Sequence, residues 1–336
     1  MTNGAEIEVD LSAAIIAASG HVPLILTVEN DHVSAVGGPA CLPSGRFDPI
    51  AHRTIEIGLR AWVGELTSLN LGYVEQLYTF GDRGRHLQAD TSGAHTMSIG
   101  YLALTSLLQT DFAAPERSSA VHPSGIRWTP WYDFFPWEDW RAGRPQVLDG
   151  TLLPLLRNWA RDEPEVHMSP RTFSRTERLA WAFGSEDVPW DEEKILERYE
   201  LLYEAGIAEE AILDGRVAVL ERKSPPVAGI TMRYDHRRIL ATAIARLRGK
   251  LKYRPLVFEL MRETFTLTEL QKTVEAISGR HLHKQNFRRL VDGSALVEPT
   301  GTSSTHTGGR PAALYRFRKD FVRERPAPGL RYGTRS

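Results

Sequence analysis

Apolar residues in this chain fall into blocks whose period shifts from strand-like to helix-like. Val9–Ala18 and Val22–Val28 are two apolar runs separated by Ser19-Gly20-His21, and they predict two antiparallel strands of one sheet. The second, VPLILTV, is too continuously apolar for an exposed edge. Beyond a Gly/Pro-rich passage through Cys41-Leu42-Pro43-Ser44-Gly45, Arg53–Leu66 places Ile55, Leu59, Trp62 and Val63 on one helical face. Tyr73–Phe80 and Thr96–Leu108 predict further strands or buried segments. Trp128, Trp131, Tyr132, Phe134, Phe135, Trp137 and Trp140 then crowd around Pro130 and Pro136, a density expected of a core or a subunit interface, or of a stacking platform for a base. Gln146–Arg161, Glu177–Phe183 and Asp191–Ala205 read as helices and Arg216–Leu220 as a short strand. Pro225-Pro226 breaks the chain, and Asp235–Gly249 restarts it as a helix with the place of a hinge.

The last third has the most specific pattern. Leu256, Val257, Leu260 and Met261 recur at helical spacing. Thr266 and Glu269 form a capping box that opens Leu267–Ser278, which Gly279 closes. His283–Asp292 predicts a third helix with Phe287, Leu290 and Val291 inward and Lys284, Gln285, Asn286, Arg288 and Arg289 outward. Arg pairs with guanine edges and Gln or Asn with adenine edges, so this outward set suits the DNA major groove. Two strands, Ala295–Glu298 and Ala313–Phe317, follow, joined by a loop ending in Gly308-Gly309-Arg310-Pro311. Helix, helix, recognition helix and hairpin make a winged helix-turn-helix, with Arg310 placed to enter the minor groove or clamp phosphate.

Charge sharpens this picture. Residues 236–336 hold 21 Lys+Arg against 8 Asp+Glu, while the first 235 hold 20 against 34, so a formal net charge of −1 conceals an acidic body and a basic C-terminal part. That asymmetry is expected of a nucleic-acid reader. A single cysteine, Cys41, excludes an internal disulfide and is expected to be a small buried residue. No Cys/His cluster has zinc-ligand spacing, and neither a metal nor a cofactor is expected. The N-terminal residues have no basic stretch and no apolar run reaches bilayer length, which predicts a cytoplasmic protein without membrane partners.

Leu42-Pro43-Ser44-Gly45, the helix after it, Gly72-Tyr73-Val74-Glu75-Gln76-Leu77-Tyr78-Thr79-Phe80-Gly81-Asp82 and Ser98-Ile99-Gly100-Tyr101-Leu102-Ala103-Leu104 together resemble a Nudix domain. With DHRRILATAIARLRGKLKYRPLVFEL, NFRR and GRPAALYRF, the chain resembles the Nudix-related transcriptional regulators of NAD synthesis, the NrtR family, and most closely their long NadQ-like branch. The resemblance covers roughly residues 8–138 and 230–318. It implies repression of NAD-synthesis genes and sensing of an NAD-related nucleotide. A working Nudix box supplies glutamates that hold Mg2+ and activate water against a diphosphate. Here Ala51, Ala61 and Gly64 stand at three of those positions, and only Arg60 and Glu65 remain.

The sequence therefore predicts an α+β protein: a degenerate Nudix-like sensor domain (5–140), a helical insertion (141–228), a linking helix with a winged helix-turn-helix (229–325) and a disordered tail (326–336). It predicts no catalysis. Arg46, Arg60, Arg83 and Arg85 are candidate phosphate ligands, with Glu65 beside them and Tyr78 as a candidate base contact. The expected partners are a palindromic double-stranded operator, an NAD-related or adenine nucleotide, and a second copy of the chain, with residues 128–140 and 236–249 as candidate dimer elements. The alternative is a Mg2+-dependent Nudix pyrophosphohydrolase with a nucleic-acid-binding appendage.

Overall fold

A mixed sheet forms the body of the N-terminal half. The computed structural model describes residues 7–28, 39–67, 69, 71–82, 95–107, 125–162, 173–215, 228–304 and 311–318. Its strands are β1 (Ile7–Ser19), β2 (Val22–Val28), β3 (Ser44–Arg46), β4 (Val74–Phe80), β5 (His95–Leu104) and β6 (Ile126–Pro130), in the order β4-β5-β1-β2-β6 with β3 paired to β1. The expected antiparallel pair is present, with Ile16 opposite Ile25. It turns through Gly20 at φ 57°, where glycine carries no steric penalty. β1 also runs parallel to β5, from Ile7 opposite His95 to Ile16 opposite Leu104.

From Leu11 to Ala17 β1 is buried on both faces, which fits its unbroken apolar run from Ala13 to Ala18. Leu11, Ala13, Ile15 and Ala17 face α1 (Ile55–Thr67) and pack with its Leu59 and Val63. Ala14 and Ile16 face the other way, into a core that includes Ile239, Leu240 and Ile244 of α6 (His236–Leu251). The sheet thus lies between α1 and a helix from the C-terminal part. Gly100 of β5 permits the close approach, since a Cβ there would fall 3.1 Å from Ile239 Cγ2.

The aromatic block is interior. Trp131, Phe134, Phe135 and Trp137 are fully buried, and they share one cluster with the middle helices α2 (Leu153–Arg161), α3 (Arg175–Phe183), α4 (Ile195–Glu204) and α5 (Glu209–Leu213), with α6 and with the winged helix. This overturns residues 128–140 and 236–249 as dimer elements: their apolar faces are consumed inside the chain. The same burial corrects the hinge reading of α6, whose Ile239, Leu240, Ala243, Ile244 and Leu247 are all at 0% exposure. α6 is a central pillar.

The C-terminal module begins with a 3-10 turn, Leu256–Leu260, where an α-helix was expected, because the segment is only five residues long between Pro255 and extended Met261. β7 (Thr264–Phe265) was not anticipated. It pairs with β9 (Ala312–Phe317), which pairs in turn with β8 (Val297–Ser304). Between them lie α7 (Leu267–Ser278) and α8 (Lys284–Ser294). Both halves of the Thr266/Glu269 capping box are made, and Gly279 ends α7 in the left-handed region at φ 72°. Arg216–Leu220, Arg83, Arg85, Arg310 and the tail 326–336 lie outside the described residues.

Candidate functional site

α8 is held by one apolar edge and presents the other outward. Phe287 and Val291 are buried against α7, while Lys284, Gln285, Asn286 and Arg289 are exposed. The α7–α8 turn is braced by Glu275, whose Oε1 accepts from the Leu282 N–H at 2.8 Å and from Gln271 Nε2 at 3.0 Å, and by Gln271 Nε2 donating to the Leu282 carbonyl at 2.8 Å. Arg288 differs from its neighbours. It is half-buried and reaches Thr268 Oγ1 on α7 at 3.4 Å. Four residues of the predicted set therefore share the open face, and the fifth leans back on the preceding helix.

The Nudix-like end holds a small pocket of about 100 Å3 lined by Arg46, His52, Gly58, Trp62 and Glu65 among others. Arg46 and Glu65 were expected there; His52 and Trp62 were not. Trp62 is a half-buried ring laid against Gly45, where a Cβ would fall 2.5 Å from the indole Nε1. The ring thus occupies much of the space beside the Nudix-type loop. Arg46 forms an ion pair with Glu8. Arg60 is not part of the lining: it bonds Glu56 at 2.9 Å and the carbonyls of Leu71 at 2.9 Å and Gly72 at 3.3 Å, tying α1 to the approach of β4. Tyr78 is 64% exposed on β4, stacked edge-on to Phe80, and is also not part of the lining.

Strictly counted, eight residues separate Ala51 from Arg60, one more than the Nudix box has, so the register of Arg60 with that box needs a one-residue slip. The lining is independent of that count and contains one carboxylate, Glu65. Among the described residues no three His, Cys, Asp or Glu side chains come together as a metal-binding group. Mg2+ takes hard oxygen ligands, usually one or two carboxylates plus substrate phosphates, in a near-ideal octahedron. To such an ion the lining offers the single carboxylate of Glu65.

A buried ionic network ties the aromatic block and α4 to α6 and α7. Glu138, from the aromatic block, bonds Arg198 of α4 through both carboxylate oxygens at 2.6 and 2.9 Å and Arg248 of α6 at 2.7 Å, all three at 0% side-chain exposure. Arg248 also donates to the Ile277 carbonyl at 2.9 Å, and Tyr132 donates to the Ala276 carbonyl at 2.7 Å. These carbonyls belong to the last turn of α7, which lacks intrahelical donors, and a guanidinium there also meets the negative end of the helix dipole. Burial pulls Arg198 down from its usual range and holds the Tyr132 phenol up, so Tyr132 is a neutral donor. The carboxylate screens the two guanidiniums from each other, and both remain charged at neutral pH.

This network also changes the meaning of the basic C-terminal part. Arg237 pairs with Glu210, Arg238 with Asp82 and Glu200, Arg246 and Lys250 with Glu75, Arg248 with Glu138, Lys252 with Glu192 and Glu193, and Arg280 with Glu192. Seven cations counted toward a DNA footprint are thus matched to the acidic body. The exposed charge of α8 stands apart from them.

Residues 257–317 match the family described as the NrtR DNA-binding winged helix domain. Over 88 residues the chain is 46% identical to the ADPR responsive transcriptional repressor NtrR of Acinetobacter baylyi, which amounts to 26% of this chain and 35% of that protein's length. Shewanella oneidensis NrtR has the same fold over nearly its whole length. Complexed with a 27mer DNA it superposes at a TM-score of 0.54 and 19% identity, covering 94% of this chain and 95% of that one. Another structure of the same protein gives 0.51 and 19%, covering 93% and 94%. Residues 257–317 thus match the NrtR winged-helix family, on a chain that shares the fold of Shewanella oneidensis NrtR over nearly its whole length.

Proposed function

We propose that the chain is a transcriptional repressor of NAD-synthesis genes that reads double-stranded DNA through α8 and releases or grips it according to a nucleotide bound by the Nudix-like domain. The observation that carries this reading is the open face of Lys284, Gln285, Asn286 and Arg289, presented by a helix inside the segment that matches the winged-helix family. Arg310, at the wing, would add a phosphate or minor-groove contact. One winged helix touches too few base pairs for repression, so a homodimer on a palindromic operator is part of the proposal.

The effector proposed is ADP-ribose or a related adenine nucleotide, since the Acinetobacter relative is an ADPR responsive repressor. Arg46 and Glu65 at the small pocket, with Arg83 and Arg85, are its candidate contacts; Arg60 and Tyr78 would have to be recruited from outside the lining. Binding without hydrolysis follows from the single carboxylate in the lining, since cleavage needs metal charge on the bridging oxygens and an oriented water. The test incubates the full chain with Mg2+ and ADP-ribose while DNA affinity for its own promoter is measured in parallel. An operator affinity shifted several-fold without turnover is expected. Metal-dependent turnover abolished by Glu65→Gln would establish the hydrolase alternative instead, and no nucleotide altering either melting or DNA affinity would end the sensor reading.

A further inference from the structure

Between α3 and α4, opening against Arg238 of α6, lies a groove of about 880 Å3 that neither DNA reading nor the Nudix-like pocket uses. Its size is that of a small-molecule site. Phe173 at 71% and Trp181 at 49% exposure stand at its sides, and Ala182, Leu196 and Leu201 supply further apolar surface. The charged groups facing it from the packed helices are Glu177 and Arg178 of α3, Glu197, Glu200 and Glu204 of α4, and Arg238. Four carboxylates against two guanidiniums leave a formal charge of −2.

Three of those carboxylates have partners. Glu177 closes a capping box on Ser174, Glu204 takes Arg178 through two bonds at 2.6 and 2.8 Å, and Glu200 meets Arg238 at 2.5 Å. Glu197 remains: its Oε2 is buried and has no hydrogen-bond partner among the described residues. A buried carboxylate oxygen without a donor is costly, and native proteins leave few of them. The indole of Trp181 already takes the Lys194 ammonium at 4.0 Å from a ring centroid. An acidic, aromatic-walled groove with one unmet acceptor is complementary to a positive charge on a flat apolar body.

We propose that this groove is a second ligand site for a small organic cation, an ammonium or guanidinium joined to an aromatic or apolar group. The cation pairs with the Glu197 carboxylate at the groove wall, and the body lies against Phe173 and Trp181. Occupancy would be felt in the Nudix-like domain, because Arg238 at the groove also bonds Asp82 at 2.7 Å.

The test is calorimetric titration of the full chain with tryptamine and with agmatine, using indole-3-acetate as an anion on the same ring. Saturable one-site binding of tryptamine is expected, at least tenfold tighter than indole-3-acetate. Glu197→Gln and Trp181→Ala should each weaken it at least tenfold, while Asp149→Asn, whose exposed carboxylate pairs with Arg144 away from the groove, leaves it unchanged. Thermal midpoints check that the variants are folded, and if Trp181→Ala is not, Glu197→Gln decides alone. Equal affinity for cation and anion, full-strength binding by Glu197→Gln, or failure of both amines to saturate would each overturn the proposal. So would a groove that only an Arg-rich peptide fills.

Discussion

Arg288 and Arg289 are neighbours in sequence with different surroundings, and the difference separates two kinds of effect. Arg289 is exposed, so Arg289→Ala should cost about 1–3 kcal/mol of operator affinity and relax preference at one base pair while thermal stability is unchanged. Arg288 is half-buried against Thr268, so Arg288→Ala should also lower the thermal midpoint. Competition binding on operator variants, with melting curves beside it, distinguishes the two. Asp139 gives a pH prediction. Burial alone would raise its carboxyl, but the Arg141 guanidinium and backbone N–H outweigh burial and hold it below the usual carboxylate range. A depressed folded value contributes stability above the unfolded value, and that contribution is lost as pH falls through the folded one. Melting curves from pH 6 to pH 3 should therefore fall less steeply below about pH 4 in Asp139→Asn than in the parent. Cys41 behaves as its isolation suggested: it is buried, and burial pushes its thiol up to about 11, which leaves it unreactive.

Among the elements, α7 carries the link between body and reader. Its two ends were legible in the sequence, because a capping box and a C-terminal glycine are local signals. The partners of its last turn were not. Tyr132, Glu138, Arg198 and Arg248 come from segments far apart in the chain, and a charge at position 138 within an aromatic run was the one available hint. Glu138→Gln leaves two buried guanidiniums without a countercharge and should destabilise the fold by about 3–5 kcal/mol, read from urea unfolding. Gly279→Ala acts at the same junction. A Cβ there meets the Glu138 carbonyl and lies 2.9 Å from the Tyr132 hydroxyl, at a φ of 72°. The left-handed cost of about 1–2 kcal/mol then adds to overpacking. If α7 positions α8, this variant should lose operator affinity beyond what its stability loss explains, measured well below its melting temperature; unchanged affinity in a folded variant would show that the junction does not hold the reader.

For the whole molecule, the pairing of basic C-terminal residues with the acidic body sets an expectation about salt. Lys284→Ala should reduce the slope of log affinity against log salt by about 1, whereas Arg246→Ala, which removes a partner of Glu75, should leave the slope unchanged. Equal slope changes in both would mean that the body-facing cations also meet DNA. The sequence by itself determined the α+β class, β2, the winged helix with α7, and four of the five outward residues of α8, Arg288 being the exception, because alternation, helical period, caps and glycine stops act over a few residues. It did not determine what the buried blocks bury against. The aromatic block and α6 looked available for a second subunit because apolar patterning marks a face for burial without naming the partner. Only the tertiary structure decided that both lie inside the chain's own core, that Arg60 ties loops together, that Trp62 lies against Gly45, and that Arg198 and Arg248 share Glu138. Each of these depends on contacts between residues distant in the chain, where packing and charge compensation, rather than local propensity, decide the arrangement.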